Sequence, residues 1–217
     1  MHPFLLLKNP YLPPHVTYAL FVSVFLMLIS FLATRRVAIY PGPLQNVLEL
    51  VIGGLDSFIQ EIMGDKGRKY FPLIATLGIF ILTSNLLGII PGFESPTADM
   101  NTNLAMAIVV FLSTHVVGVK THGIKYLKQF VGPVWALAPL MIPIEIVSHI
   151  SRPISLTFRL FGNIKGEDIV LIIVILLAPT LVPLPVFVLM IFTSCVQTIV
   201  FVLLAMMYIA GAEEEAH

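Results

Sequence analysis

A chain of 217 residues that is 58% hydrophobic and only 11% charged, with a mean hydropathy of +0.97, departs from soluble domains, in which about a quarter of the residues are charged. It reads as an all-α, polytopic integral membrane protein, and its balance of 12 basic and 12 acidic side chains excludes the basic surface that a nucleic-acid partner needs. The lone Cys195 excludes an internal disulfide and reads as a small core residue in an apolar run.

Residues 1–15 carry Pro3, Pro10, Pro13 and Pro14, which favours an extended lead-in over a helix. They lack the charged region, apolar run and small-residue site of a cleavable signal. Residues 16–34 are uncharged and long enough to span, and Arg35 and Arg36 follow at once. Short basic flanks mark the cytoplasmic side, so the N-terminus is expected outside. After Pro41-Gly42-Pro43, residues 44–64 repeat apolar positions at three and four (Leu44, Val47, Leu48, Val51, Leu55, Phe58, Ile59, Ile62). That pattern predicts an amphipathic helix lying at the cytoplasmic interface, where Lys66, Arg68 and Lys69 continue the basic flank.

Residues 70–90 predict a second span, with Asn85 as its only amide and Pro91-Gly92 as its stop. The acidic loop 93–103 is expected outside, its Asn and Thr residues capping the next helix. A third span, 104–120, returns inward to Lys120, Lys125 and Lys128, with His115 and His122 near its inner end as packing or solvated residues. From about 133 to 177 the chain stays helical, although Pro133, Pro139, Pro143 and Pro153 must bend it. A helix of that length is about twice the hydrocarbon thickness, so it is either strongly tilted or broken near Pro153. A turn over 178–185 leads to a last span, 186–209, whose polar patch is Thr193, Ser194, Gln197 and Thr198. About five spans result, with an acidic C-terminus, GAEEEAH, on the cytoplasmic side by alternation.

The long helix carries the chemistry. On a 3.6-residue period Glu145, Arg152, Arg159, Asn163 and Glu167 fall within roughly 40° of one line, with His149 alongside. A lipid-facing charge at mid-depth costs about 3 kcal/mol or more, so a polar line implies an ion path or a polar partner. Arg152 can snorkel to the interface and pair with Glu145. A guanidinium keeps its charge at any working pH, so Arg159 needs an anion: an internal one, Glu167 or Asp168, or one supplied by a partner. No histidine spacing forms a metal site.

SRPISLTFRLFGN (151–163), the acidic pair Glu167-Asp168, the run 176–209, SNLLGIIPG (84–92) and PTADMNTNLAMA (96–107) closely resemble subunit a (subunit 6) of the F-type ATP synthase, over nearly the whole chain. The resemblance implies a non-catalytic stator subunit, without cofactor, that offers two offset half-channels to a ring of c subunits. Arg159 matches the family's arginine facing the ring carboxylate, and Asn163 and Gln197 match polar residues beside it. Glu145 and Ser148, with His149 next to them, match the inner half-channel. Asp168 matches the outer acidic position, whereas the helical face favours Glu167. Met190 stands where some members carry an ionisable residue. The implied partners are the c-ring, peripheral-stalk b subunits and lipid, with H⁺ or Na⁺ the only substrate. The implied location is the bacterial inner membrane, or else a thylakoid-type one. Two other classes stay open on the residues alone: a self-contained transporter, against which stands the lack of an inverted repeat, and a structural anchor.

Overall fold

The computed structural model describes residues 11–35, 42–123, 126, 138–178 and 183–214. Among them run α1 (Pro14–Thr34), α2 (Pro43–Met63), α3 (Phe71–Ile89), α4 (Met100–His122), α5 (Ala138–Leu177) and α6 (Pro183–Glu214), with 3₁₀ turns at Gly64–Tyr70 and Pro96–Ala98. The chain is a polytopic helical membrane bundle. Four stretches, Pro14–Thr34, Gln45–Ile89, Met100–His122 and Pro183–Glu213, are long and apolar enough to cross a bilayer. α5 differs because Glu145, Arg152, Arg159, Lys165, Glu167 and Asp168 interrupt its apolar background.

Local chemistry sets the element ends. Prolines occupy the first turn of α1, α2 and α3, where a missing N–H breaks no helical bond. α1 therefore begins at Pro14, inside the stretch expected to be extended. Gly64 (φ 63°) and Gly123 (φ 57°) close α2 and α4 in the left-handed region that a side chain would disfavour. The cap of α4 is Asp99, whose Oδ1 accepts from Asn101 N at 2.8 Å. It takes the place expected of the loop's Asn and Thr residues because it directly precedes the helix.

Those amides and hydroxyls go instead into a buried knot between α3 and α4. Thr97 donates to Asn85 Oδ1 at 2.6 Å, Asn103 to the Thr97 carbonyl at 2.8 Å, and Ser95 to the Ser84 carbonyl at 2.8 Å. Ser84 Oγ, Asn85 Nδ2 and Asn103 Oδ1 are buried without a hydrogen-bond partner among the described residues.

α6 is the hub, packed against α2, α3, α4 and α5. One core joins Ile81, Met106, Val110, Leu156, Leu160, Ile164 and Phe201, and a second joins Ile59, Ile74, Val202 and Met206. The apolar face read for α2 divides accordingly: Ile59 is buried in the second core, while Val47 and Val51 are exposed. Cys195 is exposed too, against the expectation of a core position. α6 is apolar nearly all round, so its periodicity does not tell a core-facing side from a free one.

α5 is one continuous helix of 40 residues with Pro143 and Pro153 inside it. At 1.5 Å per residue it is roughly 60 Å long, which a bilayer accommodates only at a strong tilt. It lies on α4, α6 and the 3₁₀ turn Pro96–Ala98.

The bundle has two chemically distinct ends. At one, His15 Nδ1 lies 3.3 Å from Asp99 Oδ2 and Tyr18 donates to the Gly92 carbonyl at 3.4 Å. At the other, Lys69 Nζ lies 2.6 Å from Glu213 Oε1 and His122 Nε2 donates to the Glu213 carbonyl at 3.1 Å. The hydrogen bond to Glu213 holds the Lys69 ammonium above its usual 10.5, and burial pushes the Tyr70 phenol up. The Lys69 contribution is therefore present at neutral pH and lost only as pH rises beyond 10.5. Arg35, Lys66, Arg68 and Lys120 belong to this second end by their places at the helix termini. Arg36, Lys125, Lys128, most of the lead-in and the middle of the 178–185 turn lie outside the described residues.

Candidate functional site

Three buried residues one turn apart, Leu156, Leu160 and Ile164, fix the rotation of α5 against the bundle. With that face spent on packing, Arg159 is turned roughly 100° away from its centre by one helical step and is exposed. No carboxylate pairs with it among the described residues. The internal pair with Glu167 is not formed because eight helical residues separate the two by roughly 12 Å, and Asp168 lies farther along.

One turn on from Arg159, Asn163 Nδ2 donates to Gln197 Oε1 at 2.5 Å, tying α5 to α6. Gln197 is 4% exposed and Ser194 1%, and Gln197 Nε2 and Ser194 Oγ have no hydrogen-bond partner among the described residues. Beside them opens a cleft of about 330 Å³ between α5 and α6, lined among others by Asn163, Glu167, Met190, Thr193 and Gln197. The Thr193 hydroxyl, which donates to the Leu189 carbonyl at 2.8 Å, lines the same cleft as Glu167. Met190 adds only an apolar wall.

Asp168 does not share that cleft. A second one, about 260 Å³, places it opposite Pro91, Gly92 and Phe93 at the end of α3. Neighbouring positions on a helix diverge by 100°, so the acidic pair opens to two different spaces.

Toward the other end of α5, Glu145 Oε1 lies 3.2 Å from His149 Nδ1, which also donates to the Glu145 carbonyl at 3.0 Å. His149 is buried, and Ser148 is half-buried beside it. Arg152 does not pair with Glu145 as expected. Seven residues put it about 10 Å away along the axis, and its guanidinium sits 5.2 Å from the Tyr208 ring centroid instead. Glu145 and Glu167 thus flank Arg159 at roughly 21 and 12 Å along the helix.

Sequence reasoning placed Glu145, Arg152, Arg159, Asn163 and Glu167 on one line. The structure separates them into a Glu145–His149 cluster, an exposed arginine and a cleft at Glu167. It also adds His115, whose ring lies 5.5 Å from that of His149. No local spacing signalled that neighbour, because the two are 34 residues apart on different helices.

The family model described as ATP synthase A chain matches residues 16–210. The chain is 52% identical to "ATP synthase subunit a 3" of Pelobacter propionicus, over all of both chains. It is 53% identical to "ATP synthase subunit a" of Geobacter sulfurreducens, over 93% of this chain and 88% of the relative. To the protein of the same name from Trichlorobacter lovleyi it is 56% identical, with the same coverage.

Proposed function

The chain belongs to the ATP synthase A chain family, and from that premise we propose that it is the stator of the proton channel in an F-type ATP synthase. Its place is a bacterial inner membrane, and its work is to couple proton flow to rotation of a c-ring without covalent chemistry of its own. The observation that carries the reading is Arg159, a permanent charge on the exposed face of α5 with no anion beside it among the described residues. A partner carboxylate, such as the one on the rotating ring, supplies what the guanidinium lacks.

A ring carboxylate crosses lipid only when protonated and ionises opposite Arg159. At about 4 Å and an effective dielectric near 20 the pair gains on the order of 4 kcal/mol. That favours ionisation and still permits release. Gly162 and Gly166 support close approach of a partner helix. A Cβ at either position would meet nothing within 4 Å, so packing within this chain does not require glycine there, and a mid-helix glycine costs about 1 kcal/mol.

Protons enter from outside through the polar space near Asp168 and Glu167, ride the ring, and leave inward past Glu145, Ser148 and His149. Asn163 and Gln197 hold α5 and α6 together beside Arg159, which keeps the two paths apart. The driving term is about 2.3 kcal/mol per charge per 100 mV. Peripheral-stalk b subunits hold the stator against the turning ring. The N-terminus is outside and the C-terminus cytoplasmic, in keeping with the basic residues gathered at the Lys69–Glu213 end.

The test is ATP-driven proton pumping in inverted vesicles holding the assembled complex, with passive leak followed in the same preparation. Arg159→Ala is expected to abolish pumping with assembly intact. Undiminished pumping would defeat the assignment and return the anchor reading.

A further inference from the structure

The mechanism above leaves one buried contact unused, the meeting of His115 on α4 with His149 on α5. We infer that His115 is a proton-relay residue that extends the inner path from Glu145 and His149 sideways between α4 and α5. The inference rests on the reading of Glu145 and His149 as the inner path.

Three observations carry it. First, the ring nitrogens are oriented for relay. His115 Nδ1 donates to the Phe111 carbonyl at 2.9 Å, which leaves Nε2 as the acceptor, and no hydrogen bond occupies that atom among the described residues. His149 Nδ1 is likewise held by Glu145. Second, the rings meet edge to face, 5.5 Å between centroids and 72° between planes, close enough for a single water to bridge them. Third, a cavity of about 10 Å³ lined by Thr114, His115, His149, Arg152 and Tyr208 adjoins the pair. That is about the room one water needs.

The groups facing His115 are His149 and Arg152 from α5, Tyr208 from α6, and Tyr126, whose ring centroid is 6.0 Å away. The Phe111 ring lies tilted against it, 4.2 Å between centroids. In each transfer His115 Nε2 takes a proton from a water on the inner side and gives it up from the same nitrogen to the bridging water. One N–H bond forms and breaks, and the ring ends as it began. An imidazole suits the step because it exchanges its proton near neutral pH.

ATP-driven pumping in inverted vesicles draws protons through this path from the bath, so bath pH acts on it directly. Initial pumping rates would be measured from pH 6 to pH 8 for the assembled complexes of wild type, His115→Phe, His115→Gln and Glu145→Gln. Phenylalanine keeps the aromatic packing and glutamine keeps a polar group, but neither relays a proton. The expected result is at least a threefold loss for both His115 variants at pH 8, where bath protons are scarcest, with recovery toward pH 6. Wild-type rates and profile in both His115 variants, or a loss in His115→Phe that is uniform across pH and absent in His115→Gln, would overturn the inference. If Glu145→Gln is slowed while both His115 variants pump normally, only the extension to His115 fails. If Glu145→Gln also pumps normally, the inner path itself is misplaced.

Discussion

At the scale of the residue, neighbours in sequence do unlike work. Glu167 and Asp168 are adjacent, yet Glu167 shares a cleft with Asn163, Thr193 and Gln197, and Asp168 faces the chain after α3. Glu167 is held near Thr193 on the side of α5 that also carries Asn163, whereas Asp168 is beside the loop that leads to the buried Ser95–Thr97–Asn85 knot. If the outer path runs from that loop to the ring, the two carboxylates act in series. Neutralising either one then slows pumping without abolishing it. Glu167→Gln and Asp168→Asn are each expected to reduce ATP-driven pumping about tenfold, the scale of a barrier raised by about 1.4 kcal/mol. The double variant should be worse than either. A double variant no slower than the slower single one would mean that a single carboxylate carries the entry. The helical-face argument pointed to Glu167 and the family resemblance to Asp168. The structure opens the two to different clefts, and a wheel drawn over 20 residues does not register which neighbour lies opposite each face.

At the scale of the element, α5 is a long apolar helix with two tasks on two sides. Its Leu156, Leu160 and Ile164 side is committed to the core, and its Arg159, Gly162 and Gly166 side is open. The same spacing of small residues in GNIKG lets helices approach closely in membranes, where van der Waals contact replaces the hydrophobic drive. Gly162→Leu is therefore expected to leave the folded chain as stable as before, since its Cβ meets nothing within 4 Å and leucine favours helix by about 1 kcal/mol. Rotation-coupled pumping should nonetheless fall at least tenfold, because the added side chain stands where the ring must pass. Thermal unfolding in detergent and pumping in vesicles check the two halves. A variant that pumps normally would show that the open face touches lipid only. Gly118 on α4 makes the contrast, for there a Cβ would collide with the Tyr126 ring, and its smallness serves this chain's own packing.

At the scale of the whole molecule, the helix termini sort by charge. Asp99 and His15 meet at one end, and Lys69, His122 and Glu213 meet at the other. The positive-inside rule then orients the bundle as a unit. With Cys195 replaced by serine, Tyr11→Cys is expected to react with a membrane-impermeant maleimide in intact spheroplasts, and Lys66→Cys only in inverted vesicles. The reverse pattern would invert the proposed orientation. Membrane class, helical fold and family were legible in the chain itself. They rest on composition, on apolar runs matched to bilayer thickness, and on a charged RLFGN string that hydropathy alone does not produce. The sequence by itself also determined that Arg159 needs an anion, because no protonation change rescues a guanidinium. Only the tertiary structure decided that no carboxylate among the described residues pairs with it, that Glu145 turns to His149, and that His115 comes alongside. Those outcomes depend on how α5 rotates against α4 and α6, and packing between helices distant in sequence sets that rotation, not the period of any one of them.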